Sequence, residues 1–246
     1  MSPQEIRDAV FHRYGCVADE PGGAHGFPVG REFAEAVGYE PTVLDSLPPA
    51  CSDTFTGAGN PQAAVALQPD EKLLDLGCGA GLDLCLYARR FGQPVRLAGL
   101  DGSRSMAAVA KANLEDAGFG DAQIFCARAE HIPLPNDHLD VVTANGIFNL
   151  SPDEHAVMNE IARVLKPGGR LCFAEIVLSS VIEDAVRSSI DDWFRCIGGA
   201  MLQPQLVESL CAHGFSDVEI VSTGRNARTG HPSSLCAVVR AIRSHA

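Results

Sequence analysis

The sequence predicts an α/β protein whose doubly wound, mostly parallel sheet has seven strands. From residue 62 onward, short apolar runs alternate with helical patterns through short links, which is typical of strand–helix–strand units. The runs are nearly continuous in Val, Leu, Ile and Ala, as expected for strands that helices cover on both faces. Two late β-rich runs joined by a polar loop predict an antiparallel last strand at one edge of the sheet.

The individual elements follow from the same patterns. Gly92, Gly118 and Gly214 each stand at the end of a helical pattern, where glycine readily ends a helix. The predicted strands cover residues 72–77, 95–101, 122–130, 139–146, 169–177, 216–224 and 234–243. The predicted helices cover residues 62–67, 82–92, 105–118, 153–165, 180–201 and 204–214.

The first 61 residues lack the alternation of strand and helix patterns that begins at residue 62. Ser2 followed three residues later by Glu5 is a capping-box pattern, and Val10 and Phe11 fall on one helical face, so a helix should begin here. Two stretches rich in Gly and Pro come next and indicate irregular loops. We therefore expect an N-terminal helical and loop extension over residues 1–61 rather than an independent domain.

The charge and hydropathy of the chain limit the classes of partner that we expect it to bind. The net charge is −12 at pH 7 and no Lys/Arg-rich run appears, which argues against a nucleic-acid partner. No apolar stretch reaches about 18 residues, so we expect no membrane span. The N-terminus carries charges and no apolar run of the signal-peptide type, so a cytoplasmic protein is expected. A small-molecule partner remains, for a monomer or a homodimer.

A glycine-rich loop follows the first predicted strand and opens a helix. In "LLDLGCGAGLDL", Gly77, Gly79 and Gly81 alternate, and glycine allows a positive φ and close approach of a ligand to the backbone. The next helix offers unsatisfied N–H groups. Asp101 ends the following strand, where a carboxylate accepts hydrogen bonds from the hydroxyls of a ribose. The sequence therefore predicts a nucleoside-binding crevice at the carboxyl ends of the strands.

The spacing of the loop distinguishes two nucleoside-binding families. The dinucleotide pattern of dehydrogenases requires glycine where Leu82 stands. With Asp75 the loop reads Asp-x-Gly-x-Gly-x-Gly, which resembles class I S-adenosylmethionine-dependent methyltransferases. The segments "CARAEHIPLPNDHLDVV" and "RVLKPGGRL" are similar to their adenine-binding segment and to their turn before the fifth strand. The resemblance implies a Rossmann-like methyltransferase sheet, an enzyme, and S-adenosyl-L-methionine as cofactor.

The resemblance also implies roles for individual residues. Asp75 would orient the loop near the methionine part of the cofactor, and Asp101 would hold the ribose hydroxyls. Asn145 and Gly146, at the tip of the fourth strand, would lie beside the sulfonium methyl. Plain helix packing stays open for Met106. The implied cofactor-binding residues are Asp75, Gly77, Cys78, Gly79, Asp101, Gly102, Met106, Ala129, Glu130 and Asn145.

More of the chain resembles one branch of these enzymes, the arsenite methyltransferases. The segments "RYGCVA", "SLPPACSDTFTGAGNP", "NGIFNLSPDEH" and "CIGGAM" are similar to segments of that family. The family binds As(III), which is soft and thiophilic, with three cysteine thiolates. Only Cys196 matches those positions here, because Ala58 and Gly146 stand where the family has the other two thiols.

The missing thiols bear on the substrate. One thiolate cannot chelate arsenite, so we expect a methyltransferase with a diverged small-molecule substrate and no metal site. Asn145, Gly146 and Cys196 are the candidates for the reacting centre. The alternative is an arsenite methyltransferase that uses Cys196 with Cys16 or Cys51. A non-catalytic cofactor-binding module also stays open. A general base, where the acceptor needs one, has five candidates: His12, Tyr14, His25, Asp191 and Asp192.

The predicted organisation has three parts. Residues 1–61 form an N-terminal lid, residues 62–178 the S-adenosylmethionine-binding core, and residues 179–246 the substrate-side helices with the last two strands. The middle part contains both the glycine loop and the strand that ends at Asn145. It therefore contributes residues both to the expected cofactor site and to the expected methyl-transfer site.

Overall fold

The protein is built around one sheet of seven strands in a computed structural model that describes residues 1–92, 96–226 and 228–245. The strands are β1 Lys72–Leu76, β2 Arg96–Asp101, β3 Gln123–Cys126, β4 Leu139–Asn145, β5 Leu165–Leu178, β6 Phe215–Arg225 and β7 Ser234–Arg243. Their order is β3-β2-β1-β4-β5-β7-β6. The first five strands pair in parallel, and β7 is antiparallel to β5 and β6. The predicted fold class is confirmed; Val95 and Ala246, at the ends of predicted segments, lie outside the described residues.

Helices accompany this sheet along the described chain. They are α1 Pro3–Asp19, α2 Arg31–Ala36, α3 Pro41–Leu44, α4 Pro49–Asp53, α5 Leu82–Phe91, α6 Arg104–Asp116, α7 Glu154–Val164, α8 Asp184–Ser188, α9 Ile190–Phe194 and α10 Gln203–Ala212. The predictions of α5, α6, α7 and α10 are confirmed to within a few residues. No helix in the described segments combines the length and the apolar character that a membrane crossing requires.

The N-terminal segment is more regular than its sequence predicts. The capping box of α1 is confirmed, since the Ser2 hydroxyl accepts from the Glu5 N–H at 3.3 Å and the Glu5 carboxylate accepts from the Ser2 N–H at 2.7 Å. The region expected to be loops contains α2, α3 and α4, two of them opened by proline at the first helical position. Each is too short to give a clear apolar period.

The prediction of one helix over residues 180–201 is wrong. The chain forms α8 and α9 instead, and Ser189 separates them by capping α9, with its hydroxyl accepting from the Asp192 N–H at 3.3 Å. Serine competes with helical hydrogen bonding and favours such caps. The segment then ends in a turn in which Cys196 has φ +65°. The helix predicted over residues 62–67 is likewise only a 3₁₀ turn, Pro61–Ala64.

The N-terminal segment packs into the core of the sheet. Phe33, Tyr39, Leu44 and Phe55 are buried together with Tyr87 of α5 against one face of the strands. Residues of α7 and α10 bury the other face. The division into a lid, a cofactor core and a substrate-side part stays a prediction.

The strand order places a crevice beside β1. Because β1 pairs with β2 on one side and β4 on the other, the chain turns in opposite directions from neighbouring strands. Open α/β sheets bind ligands at the carboxyl ends of the strands at such a switch point. The glycine loop, Asp101 and Asn145 all lie at these ends.

Candidate active site

One cavity opens at the carboxyl ends of β1, β2 and β4, and its empty volume, with the solvent at its mouth, is about 750 Å³. It brings together most of the residues singled out from the sequence. These are Gly77, Gly79, Asp101, Gly102, Met106, Ala129, Glu130, Asn145 and Gly146. The helix α1 supplies a further wall through Arg7, Val10, Phe11 and Tyr14, which share one helical face.

The glycine loop takes backbone conformations that suit only glycine. Gly77, Gly79 and Gly81 have φ values of +71°, +53° and +85°. A Cβ atom on Gly77 would lie 2.6 Å from Cδ1 of Ile147, whereas one on Gly79 would meet nothing within 4 Å. The loop is tied to β2 because the N–H groups of Gly77 and Cys78 both donate to the carbonyl of Leu100, at 2.7 and 3.0 Å. The backbone is thus exposed to the cavity at Gly79.

We call the part of the cavity lined by Gly79, Asp101, Ala129 and Glu130 the cofactor end, because the resemblance assigns these residues to S-adenosylmethionine. Asp101 lies at its centre. Its Oδ2 accepts from the Gly79 N–H at 2.9 Å and its Oδ1 accepts from the Ser103 N–H at 2.8 Å. Burial raises the pKa of this carboxyl to about 6, although both backbone hydrogen bonds favour the ionised form. Each carboxylate oxygen keeps a second lone pair, so the group can still accept hydrogen bonds from a ligand.

Asp75 lies behind the glycine loop rather than in the main cavity. It lines a smaller cavity of about 390 Å³, together with Cys78 and Asp83. Its Oδ1 accepts from the Thr143 hydroxyl at 2.8 Å. Burial, and then the neighbouring Asp83, raise the pKa of Asp75. Gly77, Gly79 and Asn145 border both cavities.

The side chain of Asn145 is fully engaged by the protein. Its Oδ1 accepts from the N–H groups of Ala58 and Gly59, at 2.7 and 3.1 Å. Its Nδ2 donates to the Gly59 carbonyl at 2.8 Å, and to the Tyr39 hydroxyl and the Asp83 carboxylate at 3.1 Å each. Sequence reasoning did not find Tyr39 or Asp83. Asn145 therefore joins β4 to the turn at residues 57–59.

Beyond Asp101, the cofactor end of the cavity is closed by a charged contact with α1. Glu130 accepts from the Arg7 guanidinium at 3.1 Å and from the Ser151 hydroxyl at 2.8 Å. The Phe11 ring lies on Gly102, where a Cβ atom would be 2.1 Å from Cε1 of the ring. Met106 is buried beneath this wall at 1% exposure. The helix α1 thus covers the end that sequence comparison assigns to the adenine.

Gly146 lies at the other end of the cavity from Glu130, beside Ala58 and Cys196, the other two positions at which the resemblance implies thiols. A Cβ atom on Gly146 would be 3.5 Å from Cβ of Ala58 and 3.9 Å from Sγ of Cys196. The three positions therefore meet, and only Cys196 carries sulfur. Gly146 also has φ +75°, which disfavours any other residue.

Comparison with known proteins identifies the family. A family model described as a methyltransferase domain matches residues 67–220, which are more than half of the chain. The chain belongs to this methyltransferase family. The class I S-adenosylmethionine-dependent methyltransferase family predicted from the sequence is therefore confirmed.

Individual relatives within the family include arsenite methyltransferases. One from Halobacterium salinarum is 29% identical over 232 residues, which make up 89% of this chain and 59% of that protein. Methyltransferase GfsG of Streptomyces halstedii is 32% identical over 172 residues, 68% of this chain and 60% of that protein. The chain thus spans about six-tenths of the length of these relatives.

The fold also has a solved counterpart. The crystal structure of CrArsM, an arsenic(III) S-adenosylmethionine methyltransferase from Chlamydomonas reinhardtii, matches with a TM-score of 0.67. The match covers 89% of this chain and 74% of that chain, at 21% sequence identity. It supports the methyltransferase fold.

The remaining candidate thiols of this chain lie apart from Cys196. Cys51 is buried with its Sγ 3.9 Å from Sγ of Cys85, and the Sγ of Cys16 is 3.9 Å from Nε2 of His12 on the same helix. Cys196 itself is 1% exposed, and burial raises the pKa of its thiol to about 11. Among the described residues, no group of three or more His, Cys, Asp and Glu side chains could hold a metal ion. The structure therefore does not assemble the three cysteines.

Of the candidate bases, only Tyr14 lines the cavity within the described chain. Its hydroxyl donates to the Phe194 carbonyl at 3.3 Å and accepts from the Arg228 guanidinium. Burial raises the pKa of Tyr14 far above its ordinary value. The Nε2 of His25 contacts the Glu20 carbonyl at 2.9 Å, and Asp192 pairs with Arg195 at 3.9 Å. The one candidate base that lines the cavity in the described part of the chain therefore has its hydroxyl engaged by Phe194 and Arg228.

Proposed function

We propose that this protein is an S-adenosylmethionine-dependent methyltransferase that acts on a small organic acceptor rather than on arsenite. One observation carries the proposal. A single cavity runs from the carboxylate of Asp101 to the bare backbone of Gly146, with the glycine loop along its side. The first feature suits a ribose, and the second leaves room for an acceptor.

The residues of the cavity fit the cofactor. Asp101 has free lone pairs for ribose hydroxyls, and Gly79 offers backbone without a side chain in the way. Glu130 and Ala129 line the end suited to the adenine, and the acidic pair Asp75 and Asp83 lies behind the loop, where a positively charged amino group is favoured. When bound, S-adenosylmethionine supplies an electrophilic methyl group on sulfur.

The end of the cavity where Ala58, Gly146 and Cys196 meet, which we call the acceptor end, does not suit arsenite. As(III) needs about three sulfur ligands by the preference of soft ions for thiolates. Of the three converging positions, Ala58 and Gly146 carry no sulfur, and the thiol of Cys196 is buried and protonated at neutral pH. The alternative with Cys16 or Cys51 is weakened further, because Cys51 faces Cys85.

The surroundings of Gly146 favour an acceptor that is already nucleophilic. Ile147 and Leu150, which follow Gly146 in the chain, give the cavity apolar walls, and Tyr14 has its hydroxyl engaged. Methyl transfer to a strong nucleophile needs positioning and exclusion of water more than a base. We therefore infer that the acceptor is a small organic molecule that presents an easily ionised atom, such as a thiol or an acidified carbon.

The proposal is tested by methyl transfer from cofactor labelled in its methyl group. The protein is incubated with labelled S-adenosylmethionine and either arsenite with glutathione or a panel of organic thiols and acidic carbon compounds, and products are read by mass spectrometry. We expect labelled organic product and no methylated arsenical, with the same result for Cys196→Ser. Cys211→Ser, at an exposed position, is the matched control. Methylated arsenic that disappears only in Cys196→Ser would contradict the proposal.

A further inference from the structure

A single buried guanidinium joins three separate segments around the acceptor end of the cavity. Arg228 follows β6 and is 3% exposed. Its Nη1 donates to the carbonyl of Thr56, and its Nη2 donates to the hydroxyl of Tyr14 and, at 2.9 Å, to the carbonyl of Phe194. We name these four residues the Arg228 cluster. Nothing in the sequence around position 228 marks it as functional.

Aromatic rings complete the surroundings of this cation. The guanidinium carbon lies 4.7 Å from the ring centroid of Phe27 and 5.9 Å from that of Tyr14. The two rings stack on each other at 5.5 Å. Contacts of this kind stabilise a desolvated guanidinium, since the ring faces are negative. The charge of Arg228 is therefore accommodated by neutral groups.

The cluster carries an energetic cost that calls for a reason. Over residues 1–92, 96–226 and 228–245, Arg228 forms no ion pair with a carboxylate, and its Nε has no hydrogen-bond partner. Cys196, then Tyr14 and then Glu175 are close enough to act on the guanidinium electrostatically. Burying a cation with neutral partners alone is unfavourable compared with an apolar side chain of similar size. Such a cluster is expected where the guanidinium holds the segments that it joins in one fixed arrangement.

The partners of Arg228 indicate which geometry is fixed. Tyr14 belongs to α1 and lines the cavity, and Thr56 lines it just before the turn at residues 57–59. Phe194 ends α9, two residues before Cys196. These segments are distant in sequence, because Arg228 is 172 residues from Thr56 and 34 from Phe194. One side chain thus joins three of the walls that surround Gly146.

We propose that Arg228 is a positioning residue. It holds α1, Thr56 and the turn at residues 57–59 closed over the acceptor end of the cavity. The proposal rests on the proposed methyltransferase function. Arg228 is absent from the described lining of the cavity, so it acts through Tyr14 and Thr56 rather than by touching the acceptor. A closed wall keeps water from the reacting atoms and fixes the acceptor in line with the methyl group.

Amide hydrogen exchange of the cofactor-free protein tests the proposal directly. Arg228→Met keeps the length of the side chain and removes the charge and all its hydrogen bonds. We expect exchange in the second half of α1, around Tyr14, and in residues 56–59 to accelerate at least tenfold. The first half of α1, which Arg7 ties to Glu130, and the strands β1, β4 and β5 should stay protected. Arg225→Met, at an exposed arginine of β6, is the matched control and leaves both regions unchanged. Unchanged exchange in the second half of α1, or equal acceleration across the whole sheet, would overturn the proposal.

Kinetics and conservative variants separate positioning from plain stability. For Arg228→Met we expect kcat to fall about tenfold while the KM for S-adenosylmethionine changes less than threefold, because the substitution leaves in place Asp101 and the contact between Arg7 and Glu130, which hold the cofactor end. Arg228→Lys keeps the positive charge but lacks the planar, forked set of guanidinium donors. It should therefore restore part of the protection from hydrogen exchange that Arg228→Met loses. Where Arg228→Met does not fold, Tyr14→Phe, which removes one acceptor, is expected to accelerate exchange in the second half of α1 alone, and unchanged exchange there overturns the proposal. Because exchange is measured without cofactor, failure of wild-type protein to bind S-adenosylmethionine would count against the methyltransferase function and not against Arg228.

Discussion

The two ends of the cavity are held together in different ways. At the cofactor end, the part suited to the ribose depends on contacts between neighbouring segments, because Asp101 reaches the Gly79 N–H across 22 residues and the Ser103 N–H across two. The part suited to the adenine adds one distant contact, from Arg7 to Glu130 across 123 residues. The acceptor end depends on distant segments, because Asn145 reaches Ala58 across 87 residues and Tyr14 reaches Phe194 across 180. A change at the acceptor end therefore need not disturb the cofactor end. This difference is consistent with our proposal that the acceptor has diverged while the cofactor has not.

The largest expected effect breaks the cofactor end alone. Asp101→Asn removes the charge that should accept the ribose hydroxyls, and hydrogen bonds to charged groups contribute roughly 1.5–3 kcal/mol each. We expect the dissociation constant for S-adenosylmethionine to rise about 100-fold, which corresponds to about 2.7 kcal/mol. Isothermal titration calorimetry measures it, with the exposed Asp116→Asn as control. An affinity within threefold of wild type would mean that the ribose lies elsewhere.

A second prediction concerns the stability of the acceptor end. Asn145→Ala leaves the buried N–H groups of Ala58 and Gly59 without their side-chain acceptor. It also removes one of the donors to the Asp83 carboxylate, which keeps its hydrogen bonds from Tyr39 and Gln62. We expect the free energy of unfolding to fall by about 2 kcal/mol, since a buried polar group left unpaired costs roughly 1–3 kcal/mol. Chemical denaturation measures the loss, and Asn159→Ala on the exposed face of α7 should change it by less than about 0.5 kcal/mol. Equal values for the two variants would refute the role of Asn145.

The smallest expected effect concerns pH. Burial raises the pKa of Asp101 to about 6 in the cofactor-free protein, so the carboxylate is about nine-tenths ionised at pH 7 and about one-tenth at pH 5. Because the ionised form is the one that accepts the ribose hydroxyls, affinity should fall as the pH drops through 6, by roughly tenfold between pH 7 and pH 5. Calorimetry across this range measures the fall. A profile that stays equally steep in Asp101→Asn would assign the titration to another group.

The sequence predicts the cofactor end far better than the acceptor end, for a physical reason. The loop from Gly77 to Gly81 needs positive φ at fixed spacing, and that requirement is written locally in glycines. Asp101 follows at a fixed distance because the strand–helix–strand unit has a regular length. Those parts of the site could therefore be predicted, and the structure brings them together.

The acceptor end depends on contacts that no local pattern records. Arg228 lies in a polar loop, and its partners Tyr14, Thr56 and Phe194 come from three other segments. Asn145 was expected beside the methyl group, yet its side chain is engaged by Tyr39, Asp83 and the turn at residues 57–59. Side-chain contacts across the fold decided both of these features. The single helix predicted over residues 180–201 failed for a local reason, since Ser189 caps α9 and Cys196 adopts a left-handed conformation.

A crystal structure with S-adenosylhomocysteine, the product left after methyl transfer, tests the central claim most directly. It measures two distances, from the ribose hydroxyls to Asp101 and from the sulfur to Gly146. We expect the hydroxyls within hydrogen-bonding distance of the carboxylate, and the sulfur facing Gly146 with no side chain between them. A sulfur that faces the smaller cavity beside Cys51 and Asp83, or a ribose away from Asp101, would contradict the assignment of the two ends.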